Sequence, residues 1–412
     1  MNSGPAIDAD RVIADLRELQ SRTGDDDGAQ RLCWGEGWRS ARGFLGELLA
    51  EIGLDPEIDE AGNAWAYLSG ESKPALAVGS HVDSVANGGW LDGALGVMAA
   101  LGVIRAWETS GETPPKALAF VDWADEEGAR FGRSLFGSSC AAGTFDPEEL
   151  ATARDAEGRR APGVLAENGV DLERVLDCAS RLERIDSYLE LHIEQGPILE
   201  SEGIRAAAVS GCVGVERHRL RFRGTVSHAG TTPMDARHDA GLAAAETALR
   251  VEEIARSEGG VGTVGAVELE PGIATAVPGT ASMLVDLRHP DRDALRRMLE
   301  SVRGVADESA NRRGCELDQE PVWAIKPIAF DEELVALARR ACESVTGTAY
   351  RLPSGALHDA ASMALRVPTA MIFSPSIEGV SHSPREDTSD EDLAAAIGAF
   401  GLLANLRITT AS

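Results

Sequence analysis

The sequence predicts an α/β fold around an at least partly parallel sheet, interrupted by a smaller α+β unit. Two observations carry this expectation. Apolar runs of strand length alternate with segments of helical spacing through the first half of the chain and again near its end. Near Cys212 the pattern changes to an order of strand, helix, strand, strand, helix, which is that of a ferredoxin-like unit. A chain of 412 residues has room for two or three domains.

Residues 8–20 and 40–52 have the apolar spacing of amphipathic helices, the second closing at Gly53. Residues 63–68 read as a short strand, and 75–78 as an apolar run that stops at Gly79 and Ser80. Residues 93–108 are helical in spacing, and 117–121 and 188–193 are buried-strand candidates. In the central region, 215–222 alternates polar and apolar residues as a half-exposed strand does. A helix at 240–257, strands at 261–268 and 281–287 and a helix at 292–310 follow. Beyond Pro327 come long helical and apolar-strand segments at 332–344, 369–373 and 391–406. The economical arrangement is a domain in two pieces, 1–211 plus 327–412, with an inserted domain at 212–326.

Composition narrows the function. Sixty-seven acidic residues face 39 basic ones, for a formal net charge of −28. That excess argues against nucleic acid and anionic membranes as partners. Only Lys73, Lys116 and Lys326 are lysines, the remaining bases being arginines. Cys33, Cys140, Cys178, Cys212, Cys315 and Cys342 are scattered without a C-x-x-C pair, so a disulfide framework is not expected and a reducing cytoplasm is. The stretch at 94–104 is too short to span a bilayer.

The acids and histidines fall at strand ends, where open α/β sheets build their sites. His81 and Asp83 follow the run at 75–78, Glu126 and Glu127 follow 117–121, His192 closes 188–193, and His382 follows 369–373. Asp92 precedes a helix. Imidazole and carboxylate together suit two divalent ions such as zinc, manganese, cobalt or nickel. A carboxylate can bridge two such ions about 3.5–4 Å apart. Asp92 is the expected bridge, with His81 and His192 completing one site and Glu127 and His382 the other. Asp83 would orient the His81 ring. Glu126 would remain to move a proton.

A set of motifs in chain order then carries a resemblance. They are G-S-H-V-D-S-V (79–85), G-G-W-L-D-G-A-L-G-V (88–97), W-A-D-E-E-G-A-R-F (123–131), L-H-I-E-Q-G-P (191–197), S-H-A-G-T-T-P-M-D-A-R-H-D-A (227–240), V-D-L-R-H-P (285–290), S-G-A-L-H-D-A (354–360) and G-V-S-H-S-P-R-E (379–386). Over roughly residues 10–405 the chain resembles the amidase, hydantoinase and carbamoylase family of dinuclear aminopeptidase-like hydrolases. Its members include N-carbamoyl-L-amino acid hydrolases, allantoate and ureidoglycolate amidohydrolases and β-ureidopropionases.

The resemblance implies the same five ligands, Glu126 as catalytic acid–base and a cis peptide after Asp92. It implies that the inserted domain is a lid and forms a homodimer, with His228 reaching the partner's site to hold an oxyanion. Arg288 resembles the residue that grips the substrate carboxylate, although a salt bridge to Asp286 is an equal reading. Gln195 and the 354–356 backbone (Ser354, Gly355, Ala356) resemble pocket residues for a small anionic ureido or amide substrate. Thr275 stands where the family has Asn, and Leu357 where it has Gly.

The expected reaction is hydrolysis of an N-carbamoyl amino acid. Allantoate or ureidoglycolate hydrolysis and N-acyl cleavage are alternatives. A binding protein that had lost catalysis would have shed ligands first, and all are present. The segment G-S-S-C-A-A-G (137–143) lacks the nucleophile-elbow spacing of a serine hydrolase.

Overall fold

The computed structural model describes residues 4–409. It forms two compact units. One comprises the described residues up to Ser210 and from Phe330 onward, the other Gly211–Ala329.

The first unit is built on a mixed sheet. Its central strands Thr369–Ser374, Ile185–Ile193, Ala75–His81 and Leu118–Trp123 lie side by side and parallel. Ala64–Leu68 and Ala207–Cys212 flank them antiparallel. The strands Ala75–His81, Leu118–Trp123 and Thr369–Ser374 are buried along their whole length. Parallel strands covered by helices read as continuous apolar runs for this reason.

Ala75–His81 runs three residues past the apolar stretch, through Gly79 and Ser80. A Cβ on Gly79 would lie 2.0 Å from the Val121 carbonyl oxygen, so glycine here marks close approach of the neighbouring strand and not its end.

Helices Ala9–Thr23, Ala94–Ser110, Glu332–Thr346 and Asp390–Thr409 pack with one another. The short helices Phe136–Ala142 and Asp359–Met363 pack together as a second group, joined by the 3-10 segment Val175–Arg184. By length and composition alone, Asp390–Thr409 is apolar enough to cross a membrane, with a mean hydropathy of 1.3. The run at 94–104 was therefore not the segment to weigh. The helix is 61% buried and packs on Glu332–Thr346, Ala9–Thr23 and Thr369–Ser374, as a core helix does.

The second unit is a four-stranded antiparallel sheet in the order Val261–Glu270, Thr280–His289, Gly214–Arg223, Glu316–Ile325. Helices Ala240–Glu258 and Arg292–Arg313 pack on it. Burial along Thr280–His289 alternates residue by residue, and Met283, Val285 and Leu287 meet Met298, Val302 and Val251 in the core. The fourth strand, Glu316–Ile325, completes the ferredoxin-like order and was not legible in E-L-D-Q-E-P-V-W. Pro321 sits where its register shifts, and an edge strand tolerates the missing N–H.

Candidate metal centre

The parallel strands deliver their functional side chains at their carboxyl ends. His81 is the last residue of Ala75–His81, and His192 is the penultimate residue of Ile185–Ile193. Glu126 and Glu127 follow Leu118–Trp123, and His382 follows Thr369–Ser374. Asp92 precedes Gly93, the N-cap of Ala94–Ser110.

Asp92 is the centre of the cluster. Its Oδ1 lies 3.2 Å from His192 Nε2 and 3.9 Å from His81 Nε2. Its Oδ2 lies 3.1 Å from His382 Nε2, which is 3.4 Å from Glu127 Oε2. Two donor triads result, His81–Asp92–His192 and Asp92–Glu127–His382, each with ligand atoms within 4.8 Å of one another. The single carboxylate they share turns one oxygen toward each triad. Glu126 Oε2 stands 3.7 Å from His81 Nε2.

These residues fit divalent cations on their own chemistry. His192 Nε2 and Glu127 Oε1 are buried and find no hydrogen-bond partner among the described residues. Such orphaned atoms are costly unless a ligand completes them. Burial and neighbouring Asp92 push Glu127 up to about 7. Burial drives Glu126 well above the ordinary carboxylate value, against the pull of His81. The hydrogen bond to Asp92 raises His382 to about 9. Protons thus compete for positions that cations would occupy.

The surrounding residues fix this geometry. Asp83 accepts from the backbone N–H of Glu126 at 3.3 Å and of Glu127 at 3.2 Å, and its Oδ1 lies 3.5 Å from His81 Nδ1. Its carboxylate therefore holds the acidic pair, while the His81 ring hydrogen-bonds through Nδ1 to the Asp83 backbone carbonyl at 3.1 Å and not to the carboxylate expected to orient it.

Gln195 Nε2 donates to Asp92 Oδ2 at 2.9 Å and to Ser381 Oγ at 3.1 Å. Ser354 Oγ accepts from Ala356 N at 3.1 Å and pairs with His358 Nε2 at 2.9 Å. The His358 ring is 4.3 Å from that of His192, so the 354–356 turn adjoins the cluster. A Cβ at Gly355 would meet nothing within 4 Å, leaving the turn open.

The expected cis bond after Asp92 is absent. The cis peptides among the described residues are Lys73–Pro74 and Glu270–Pro271.

Glu386 was missed. Its buried carboxylate accepts from Leu91 N and Asp92 N at 3.0 Å each and from Ser381 Oγ at 2.7 Å, clamping the bridging residue. It closes the G-V-S-H-S-P-R-E motif, which was the available signal.

The profile of Peptidase family M20/M25/M40 matches residues 77–405. The chain belongs to this family. The M20 chain is 36% identical over 370 residues to an N-carbamoyl-L-amino acid amidohydrolase of Geobacillus stearothermophilus, covering 89% of this chain and 90% of that one. It is 34% identical over 385 residues to the allantoate amidohydrolase of Escherichia coli (strain K12), covering 91% and 92%. Its fold matches a crystal structure of a hydantoinase/carbamoylase family amidase from Burkholderia multivorans with a TM-score of 0.90, at 31% identity and 99% coverage of both chains.

The remaining predicted residues of the M20 chain lie in the second unit. His228 pairs opposite Ala276, next to Thr275, whose carbonyl accepts from Ala229 N at 2.9 Å. His228 Nδ1 accepts from Gly230 N at 3.0 Å and Thr231 N at 3.2 Å. A neutral ring accepting at Nδ1 carries its proton on Nε2, leaving an exposed donor. Arg288 Nε donates to Asp286 Oδ1 at 2.9 Å, so the salt-bridge reading describes it here. Arg288 lies at one end of Thr280–His289, and the His228–Ala276 pairing lies beyond the other end. A ten-residue strand spans about 30 Å.

Proposed function

We propose that the chain is a metal-dependent amidohydrolase that cuts the ureido C–N bond of a small N-carbamoyl amino acid, releasing ammonia, carbon dioxide and the free amino acid. The observation that carries this reading is the buried Asp92 carboxylate shared by two donor triads, one of them wholly buried. The names of the relatives, an N-carbamoyl-L-amino acid amidohydrolase above all, support the substrate class.

His81, His192 and Asp92 would hold one divalent cation, and Asp92, Glu127 and His382 the second, drawn from zinc, manganese, cobalt and nickel. Bound there, the pair supplies Lewis acidity toward the carbonyl and lowers the pKa of an attacking water. Glu126 accepts the proton of that water and returns it to the leaving nitrogen. Gln195 and the open 354–356 turn receive the ureido end. Arg288, once released from Asp286, pairs with the substrate carboxylate. The Nε2–H of His228 donates to the developing oxyanion.

A ureido acid is far shorter than the strand that separates Arg288 from His228, so the two serve different positions within one copy. A homodimer in which the second unit of one copy lends His228 to the other reconciles them, and that unit acts as lid and dimerisation domain. Six buried cysteines, none of them in a disulfide among the described residues, support a reducing, cytoplasmic setting.

Allantoate or ureidoglycolate hydrolysis is the second reading. Thr275 instead favours cleavage of an N-acyl amino acid or other small amide, because one hydroxyl cannot offer both amide donors and an amide acceptor. N-acyl cleavage is a third outcome to be measured.

The test is a screen of N-carbamoyl amino acids, allantoate, ureidoglycolate and N-acetyl amino acids against protein supplied with manganese or zinc. Ammonia and free amine are both measured. Ammonia from a carbamoyl acid that stops on chelation is the expected result. Amine from N-acetyl amino acids alone would replace the ureido reading with acyl cleavage.

A further inference from the structure

The loops bearing His81 and Asp92 share a buried cation that has no role in the chemistry above. Arg31 is fully buried. Its Nε donates to the Val82 carbonyl at 2.7 Å, and its terminal nitrogens reach Gly89 O and Gln20 Oε1 at 3.4 Å each. Its backbone N donates to Ser84 Oγ at 3.2 Å, and its carbonyl accepts from Ser84 N at 3.2 Å.

Val82 is the single residue between His81 and Asp83, and it is gripped from both sides. Its N–H donates to Asp122 Oδ1 at 2.8 Å, and Asp122 Oδ2 is held by Arg42 at 2.7 Å. Two buried ions on different segments thus fix the peptide groups on either side of Val82. Gly89 begins the loop that leads to Asp92, so the same guanidinium reaches the ligand loops on both flanks.

We propose that Arg31 is a positioning residue of the metal centre, setting the spacing of the His81 and Asp92 loops. This rests on the metal-centre reading of the preceding section. Burial lowers the Arg31 pKa to about 10, while Glu386, Asp92, Asp83 and Glu127 hold it up, so the guanidinium stays charged at neutral pH. A planar fork can reach separate carbonyls at once, which a point-like ammonium does not reproduce. A mere brace would serve folding. A positioning cation also tunes how tightly the loops hold metal.

Zinc is titrated into chelator-stripped wild type, Arg31→Lys and Arg31→Met, with thermal unfolding measured in chelator alongside. The wild type is expected to take two zinc ions per chain. The variants are expected to bind about 10–100-fold more weakly, the range for residues that support ligands, with Met weaker than Lys. Should the Met variant fail to fold, the Lys variant decides, because it keeps the charge and loses the fork. Variants that unfold earlier in chelator yet bind zinc with wild-type affinity overturn the proposal and leave Arg31 a brace. A wild type that binds no zinc removes the metal-centre reading and this proposal with it, whereas equal affinity in wild type and variants removes this proposal alone.

Discussion

His382, Gln195 and Asp125 adopt left-handed backbone, with φ of 53°, 57° and 55°. For non-glycine residues such a conformation costs of order 1–3 kcal/mol and persists where the surroundings over-determine it. Each of these residues is at or beside the metal cluster, and Trp34, at φ 64°, donates to Asp125 Oδ2 at 3.0 Å. Local strain is concentrated where side chains must converge.

At the same scale, Glu126 carries the sharpest expectation. Glu126→Gln keeps the volume but cannot accept a proton. The variant should lose about 10²–10⁴-fold in kcat while binding the same amount of metal, measured by steady-state kinetics beside metal analysis. Unchanged turnover would remove Glu126 from the mechanism. Ligand-type residues were legible one by one, because few side chains bind cations and all but Asp92, which precedes a helix, close or follow a strand. Glu386 was not, because a carboxylate that clamps backbone N–H groups looks in sequence like any surface acid.

Elements set the distances between those residues. Helix Ala94–Ser110 begins at Gly93, whose φ is 65° and whose Cβ, if present, would lie 2.3 Å from His81 Cε1. Glycine is required by both the conformation and the contact. Gly93→Ala should destabilise the protein by at least about 1–2 kcal/mol and lower its zinc content, read from thermal unfolding and metal analysis.

In the second unit, burial raises the pKa of Asp286, but hydrogen bonds from Arg288 and Arg217 outweigh it and hold the group below its ordinary value of 3.8. A depressed carboxylate stabilises the fold above its unfolded pKa, and the contribution is lost as pH falls through the lower folded value. Asp286→Asn should therefore unfold at a lower temperature than wild type at pH 7. The gap should close as pH drops below about 4. A gap that widened in acid would contradict the sign. The strand Glu316–Ile325 shows where element reading stopped: its outer face meets solvent and its edge position tolerates Pro321, so its sequence lacks the apolar run that marked the buried strands.

For the whole molecule, the expectation is that catalysis needs two copies of the chain. Glu126→Gln and His228→Ala should each be inactive alone. Mixed and allowed to exchange, they should recover about a quarter of wild-type activity, because half the dimers are mixed and each of those has one site with both residues intact. If His228 served its own copy, every site in the mixture would lack one residue and no activity would return. Activity assays across mixing ratios, with sedimentation to follow exchange, distinguish the two.

The amino-acid sequence by itself determined the α/β class, the αβ order of the inserted unit and the residue types at each strand end. Those follow from local periodicity and from the few side chains that bind divalent cations. Only the tertiary structure decided that Asp92 turns one oxygen toward each triad and that Glu386 clamps its backbone. It also decided that the Val82 peptide is held between Arg31 and Asp122. Contacts of that kind join residues up to about 300 positions apart, and separation along the chain holds no record of them until packing brings the segments together.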